Sequence, residues 1–332
     1  GYAPIARAAE SALGSRDLNY IKQFDDRIST ELKALSDDCS VLVERAGKRS
    51  FTPVELRELL ELRDTYPEAL LVAGATDVGL WVTKGLQTFD SVIHTGSVRE
   101  LRQISHTENE IRIGAAVRYR EALPELINHY PGMQDMLERL GGAQVRNAGT
   151  VGGNIANGSP IGDMPPALIA LDARLEIQSV QQVREIALED FFIEYGKQDL
   201  APDEVVTCVV LPKHRKGMFS CYKVSKRPEQ DISALCAGIY VKLEDNNIKR
   251  ARICLGGMAG TPARATRTEQ CLHGQPWKRQ TFEKAMDEMQ YDFSPISDMR
   301  ASAGSRTKVA ANLLMRFVLE HDPVTLHPEG AS

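Results

Sequence analysis

Leu71-Val72-Ala73-Gly74-Ala75-Thr76-Asp77-Val78 carries the chain out of a continuous apolar run and straight into a turn of small residues. The run, residues 69–73, is bounded by Pro67 and Gly74 and lacks polar alternation, so it reads as a strand covered on both faces. A turn of this kind at a helix start exposes consecutive backbone N–H groups, which suits a pyrophosphate. The same residues equally make a plain strand-to-helix turn with Thr76 or Asp77 as N-cap. Outward from it, Ser91-Val92-Ile93-His94 supplies a second strand, and residues 76–86 form the crossover helix between the two. Upstream, Thr52-Pro53-Val54-Glu55 reads as a helix start, with Thr52 as cap, Pro53 at the first helical position and Glu55 closing a capping box. Leu56, Leu59 and Leu60 give that helix an apolar face, so residues 52–104 read as a small α/β unit. Neither G-x-G-x-x-G nor G-x-x-x-x-G-K-[ST] occurs, which removes the two commonest nucleotide-binding turns.

A second Gly-rich stretch is Gly149-Thr150-Val151-Gly152-Gly153-Asn154-Ile155-Ala156-Asn157-Gly158-Ser159-Pro160-Ile161-Gly162-Asp163. Its five glycines let backbone lie against a ligand while short polar side chains hydrogen-bond it. The plain alternative is a structureless surface loop, although loops of this length without function are uncommon. Around it, strands at 110–115, 173–179, 183–188 and 204–211 and helices at 118–129, 133–140 and 165–171 read as a mixed α+β unit. A last α+β unit has strands at 219–224, 234–243 and 248–255 and helices at 266–273, 281–289 and 305–320. Toward the N-terminus, Ile5, Ala8, Ala9 and Leu13 mark a short helix, and polar residues 17–50 read as a linker, partly helical.

Composition sets outer limits. With 42% hydrophobic and 26% charged residues, the 332-residue chain is a globular protein of two or three cores. Forty basic against 45 acidic residues give a net charge of -5, which argues against nucleic acid as a partner. The longest apolar stretch, residues 69–82, is broken by Asp77 and too short for a bilayer, so no membrane association is expected. Six cysteines lie scattered without a C-x-x-C pair, mostly in apolar runs, which points to a reducing compartment, the cytoplasm, and to no metal or cluster site made by this chain alone. The histidines (His94, His106, His129, His214, His273, His321 and His327) are dispersed without ligand spacing and read as surface or capping residues. With no Ser/His/Asp or Cys/His set either, any redox chemistry has to be a cofactor's and no catalytic residue is assigned.

The two Gly-rich segments together resemble the flavin-binding subunits and domains of the xanthine dehydrogenase family, molybdenum hydroxylases of purine metabolism. There a turn V-x-G-x-T-[DE] and a loop [ST]-[VI]-G-G-N-I-x-x-x-S-P-x-x-D hold FAD. Three further stretches extend the resemblance. Gly1-Tyr2-Ala3-Pro4-Ile5 is similar to the residues after the last cluster cysteines of the family's iron–sulfur domain. Phe219-Ser220-Cys221-Tyr222-Lys223-Val224-Ser225-Lys226-Arg227 with Asp231-Ile232-Ser233 resembles the segment that places a lysine beside the flavin. Ser297-Asp298-Met299-Arg300-Ala301-Ser302-Ala303 resembles the signature of the C-terminal flavoprotein domain.

The resemblance implies an α+β chain: a remnant of the iron–sulfur domain and linker (1–50), a two-part FAD-binding domain (51–215, parts about 51–104 and 105–215), a C-terminal flavoprotein domain (216–322) and a tail (323–332). It implies that backbone from Leu71 through Val78 (Leu71, Val72, Ala73, Gly74, Ala75, Thr76, Asp77, Val78) and at Gly152, Gly153 and Asn154 holds the pyrophosphate. Thr150, Asn154, Asn157 and Asp163 are expected to bond ribityl, ribose or phosphate oxygens, and Val206 and Lys223 to lie near the isoalloxazine ring. From its sequence position alone, Lys223 reads as a snorkelling strand-edge residue. Leu140 stands where the family often has an aromatic packed by the adenine, and Gly196 where an arginine follows Tyr195 on the nicotinamide side. The implied activity is electron transfer from iron–sulfur clusters through FAD to NAD+. The 2Fe-2S clusters are expected on a domain upstream of Gly1 and the molybdenum cofactor on a large molybdopterin-binding partner subunit. The alternatives are the flavin subunit of a carbon monoxide dehydrogenase or aromatic acyl-CoA reductase relative, and a non-catalytic flavin-binding assembly factor.

Overall fold

Two helices, α1 (Tyr2–Gly14) and α2 (Leu18–Leu35), open the computed structural model, which describes residues 2–14, 18–35, 39–213 and 216–321. The described residues up to 40 form one compact unit and those from 41 onward another. The 18-residue α2 lies inside the stretch read as a linker, and its cause is a narrow stripe: Phe24, Ile28 and Leu32 recur every fourth residue among polar neighbours.

At its other end that stretch is paired strand. Val41–Arg45 (β1) and Lys48–Thr52 (β2) pair as a hairpin whose two turn residues, Ala46 and Gly47, both have positive φ (53° and 77°), so the boundary drawn at residue 50 falls inside a strand. Thr52 ends β2 rather than capping a helix. Helix α3 (Leu56–Thr65) starts after an extended Glu55 that makes no side-chain cap bond. β3 (Leu70–Val72), α4 (Val78–Thr83) and β4 (Ser91–His94) complete a four-stranded sheet in the order β1-β2-β4-β3, with β2 and β3 each parallel to β4. β3 is thus an edge strand. Val72 is buried, whereas Leu70 and Leu71 are only half covered, so the expected coverage on both faces is incomplete.

The next sheet has the order β5-β6-β11-β7-β8, built from Ile104–His106 (β5), Glu110–Gly114 (β6), Arg174–Gln178 (β7), Val183–Ala187 (β8) and Val205–Pro212 (β11), every pair antiparallel. A small hairpin of Phe192–Glu194 (β9) and Lys197–Gln198 (β10) precedes β11. Alternation explains the two faces of this sheet. Ile111, Ile113, Leu175 and Ile177 enter the core, while the intervening residues carry ion pairs between Arg112 and Glu176 and between Arg174 and both Glu110 and Glu185. Five α-helices lie between β6 and β7: Tyr119–His129 (α5), Gln134–Glu138 (α6), Ala143–Ala148 (α7), Val151–Ala156 (α8) and Met164–Ala170 (α9).

The last sheet, β12-β13-β14-β15, comprises Met218–Val224, Leu235–Glu244, Asn247–Gly256 and Ala263–Arg264, followed by Thr266–Leu272 (α10), Arg279–Glu288 (α11) and Ala303–His321 (α12). Its first seven β13 residues are all buried because both faces are covered. Leu235, Ala237, Ile239 and Val241 pack with Leu313, Leu314 and Phe317 of α12, while Cys221, Cys236 and Cys254 join the core of the preceding sheet. α9 forms that second cover, and two glycines admit it. A Cβ on Gly238 would stand 2.4 Å from the Pro166 carbonyl oxygen, and one on Gly256 3.0 Å from Pro166 Cγ. The architecture is therefore α+β, with a small α/β unit, a mixed α+β unit and a C-terminal α+β unit in chain order. Among the described residues no helix is long and apolar enough to cross a membrane.

α12 is anchored by Asp298. Its carboxylate accepts from Ala301 N–H (3.1 Å), Arg300 N–H (2.8 Å) and Arg306 Nη2 (2.7 Å), while Arg306 Nη1 donates to the carbonyls of Ala234 and Gly257. The backbone bonds, first from Ala301 and then from Arg300, together with Arg306, hold this carboxyl down to about 2. A depressed folded-state value favours the native state fully above the unfolded value of about 3.9, and the contribution is lost as pH falls through about 2. Asp298→Asn should therefore lower the urea midpoint at pH 6, with the gap to the parent shrinking between roughly pH 4 and pH 2. A pH-independent gap would show that the charge is irrelevant.

Candidate functional site

β3 delivers the chain to Gly74, where backbone meets backbone. A Cβ there would lie 1.9 Å from the carbonyl oxygen of Ala148 and 2.8 Å from Gly149 Cα, so the turn after β3 is pressed against the junction of α7 and α8. The next residue, Ala75, is left-handed at φ 56°, an uncommon conformation for a residue with a side chain. Gly79 N–H makes the first helical bond, to Ala75 O (2.8 Å), and among the described residues the N–H groups of Thr76, Asp77 and Val78 donate to no protein acceptor. Three adjacent donors are therefore open at a helix start. Asp77 occupies the cap position without a side-chain cap bond, so the plain N-cap reading is not realised there; partial desolvation holds its carboxyl above the ordinary range.

The second Gly-rich segment is not a structureless loop, since residues 151–156 form α8. Its donors are already used. Val151 N–H bonds Val117 O, Gly152 N–H bonds Ala115 O, Gly153 N–H bonds Thr150 Oγ1 (3.1 Å) and Asn154 N–H bonds Thr150 O. In this arrangement the backbone N–H groups of Gly152, Gly153 and Asn154 hold α8 to the β6 end and to its own cap. Gly152 is glycine for another reason, because a Cβ would stand 2.5 Å from the Cβ of Ala115. What α8 does offer is Asn154, whose side-chain oxygen is buried without a hydrogen-bond partner. A buried polar atom left unpaired costs about 1–3 kcal/mol unless water or a ligand group meets it. Asn157 follows at the C-cap with an exposed side chain.

Asp163 and Lys223 meet each other. Lys223 Nζ donates to Asp163 Oδ2 at 2.5 Å with its side chain 2% exposed, and Ser233 Oγ donates to Oδ1. Lys223 does lie on an edge strand, but it is buried and paired rather than snorkelling. Each oxygen of Asp163 accepts one of these hydrogen bonds, which fixes the position of Lys223. Tyr119 was missed from the sequence. Its ring lies beneath Gly149, 3.0 Å from where a Cβ would be, and burial first, then the Asp163 and Asp77 carboxylates, push its hydroxyl well above the usual range. Its signal was slight, an aromatic at a helix start. Leu140 and Val206 are buried in the core of the second sheet, Val206 beside a bulge in β11. Gly196 turns the β9–β10 hairpin at φ 73°, which explains a glycine at that position.

Comparisons with known proteins identify the family. Residues 46–214 match the family model of the FAD binding domain in molybdopterin dehydrogenase, and residues 220–321 match the CO dehydrogenase flavoprotein C-terminal domain. The xanthine dehydrogenase FAD-binding subunit of Escherichia coli O157:H7 is 28% identical over 270 residues, 80% of this chain and 92% of that one. The xanthine dehydrogenase of Oryza sativa subsp. japonica is 33% identical over 263 residues, 74% of this chain but 19% of that protein, so the chain spans about a fifth of such relatives. Among solved structures, quinoline 2-oxidoreductase from Pseudomonas putida 86 (TM-score 0.75, 23% identity, 83% of this chain and 97% of that one) shares the fold. So does carbon monoxide dehydrogenase from Hydrogenophaga pseudoflava (TM-score 0.76, 22% identity, 82% and 96%). With a family model spanning more than half of it and a second covering most of the remainder, the chain belongs to the FAD-binding family of the molybdopterin dehydrogenases.

Proposed function

We propose that this chain holds one FAD non-covalently and serves as the electron-transfer flavoprotein of a xanthine dehydrogenase-like enzyme, with NAD+ as acceptor. The observation that carries the reading is the buried, unpartnered oxygen of Asn154 on α8, the helix whose junction with α7 meets the turn that leaves three N–H groups open. When bound, FAD supplies the exchange between one-electron donors and a two-electron acceptor. The N–H groups of Thr76, Asp77 and Val78 take the pyrophosphate charge at the start of α4, with Leu71 to Ala75 as the approach and Gly74 setting the depth. Asn154 and Asn157 bond sugar or phosphate oxygens, with Thr150 fixing α8 beneath them. Lys223, held by Asp163 and Ser233, presents a fixed ammonium toward the ring side, and Val206 gives that side an apolar wall. Iron–sulfur clusters on a separate domain and a molybdopterin-binding subunit are the proposed donors, supported by the relatives in which the matched segment is only about a fifth of the protein.

Incubation with FAD followed by desalting should leave one flavin per chain, released intact on denaturation. Asn154→Ala should weaken binding about 5- to 150-fold, the equivalent of 1–3 kcal/mol. A chain that takes up no FAD, or a variant with unchanged affinity, overturns the site. Anaerobic reoxidation of the reduced holoprotein by NAD+ tests the acceptor separately: if oxygen reoxidises it and NAD+ does not, the acceptor assignment falls while the FAD site stands.

A further inference from the structure

At the end of β5 and the last turn of α5, far along the helix from Tyr119, three ligand-type side chains converge. Glu125 and His129 are four residues apart on α5 and rise from the same face, and His106 is the last residue of β5. His106 Nε2 stands 3.4 Å from Glu125 Oε2 and His129 Nε2 4.0 Å from the same oxygen, and one donor atom from each residue lies within 4.8 Å of the other two. We propose that His106, Glu125 and His129 form a binding site for a divalent cation of the zinc class, tying the edge strand β5 to α5.

The spacing is the first argument. Donor atoms around a tetrahedral Zn2+ with bonds of about 2.0–2.2 Å are about 3.3–3.6 Å apart. The His106–Glu125 pair already has that separation, and the other distances close by side-chain rotation, which the partial exposure of these residues permits (37%, 37% and 23% for His106, Glu125 and His129). The donor set is the second: two imidazoles and one carboxylate suit Zn2+ and its transition-metal neighbours rather than Mg2+ or Ca2+. Placement is the third, because the C-terminal turn of a helix carries the negative end of its dipole and favours a cation. A solvent-facing fourth position is left for water. As an ion pair alone, the half-exposed cluster is worth little, yet β5 is three residues long and pairs only with β6. A cation bridging both elements gives that edge a second attachment. The sequence held half of this signal, the E-x-x-x-H spacing on α5, while His106 is brought in by the fold alone.

The proposal is independent of the flavin reading and is tested on the full chain with FAD. After dialysis against a chelator, Zn2+ titrated in competition with a chromophoric chelator should bind at one equivalent. The His106→Gln/His129→Gln variant should lose at least about 100-fold in affinity with unchanged FAD content and circular dichroism, since two of three ligands are gone. Co2+ in the parent should give visible ligand-field bands without a thiolate charge-transfer band, a readout that needs no variant. Absence of saturable Zn2+ binding, unchanged affinity in the folded double variant, or a thiolate band with Co2+ would each overturn it.

Discussion

Gly74→Ala is expected to yield a chain that no longer retains FAD through desalting. The new methyl would have to occupy space 1.9 Å from the Ala148 carbonyl oxygen and 2.5 Å from its carbon, and both are backbone atoms that cannot rotate away. The turn must therefore lift off the α7–α8 junction, and the open N–H groups of Thr76 to Val78 move with it relative to Asn154. Overpacking of this kind costs about 1–3 kcal/mol in stability, and misplacing a pre-arranged anion site should weaken FAD binding at least about tenfold. Gly79→Ala supplies the control. Its Cβ would meet nothing within 4 Å, and alanine in a helix gains about 0.5–1 kcal/mol over glycine, so FAD affinity should be unchanged. Fluorescence titration of FAD into both variants decides the matter: equal affinities would remove the turn from the site.

Lys223→Met should be the most destabilising single change near the site. It leaves the Asp163 carboxylate buried with only Ser233 as donor, and breaking a buried pair from one side costs about 3–5 kcal/mol. The Lys223→Met/Asp163→Leu variant should recover much of that loss, because no charge is then stranded, though Ser233 forfeits its acceptor at about 1–3 kcal/mol. Urea unfolding of the two single variants and the double gives the coupling directly. Additive losses would mean that the two side chains do not depend on each other.

Much of the chain declared itself through local pattern. β13 was legible as a long strand because covered faces demand unbroken apolar residues, and α5 and α12 showed helical spacing over three or more turns. The β1–β2 hairpin did not, because Ala46 rather than Asn or Asp precedes Gly47 in its turn and β1 is exposed throughout. α2 hid its stripe among charged residues. At the site, the glycines and Asn154 could be picked out by type, but type does not reveal which donors are spent. That Gly152 N–H bonds Ala115 O depends on folding within the second unit, and that Asp163 accepts from groups 60 and 70 residues away depends on contacts made only after the second and third units have packed.

The seat of α9 has a bearing on how such a chain can be cut and recombined. Pro166 rests on Gly238 and Gly256, and Cys221, Cys236 and Cys254 sit in a core otherwise supplied by residues before 212. The two matched families meet between residues 214 and 220 along the chain, yet in space their interiors are shared. A fragment ending at that seam would carry a bare apolar helix face, and its counterpart would expose one whole side of a sheet. Gene fusions and deletions that shuffle this module must accordingly move residues 41–321 as a single piece.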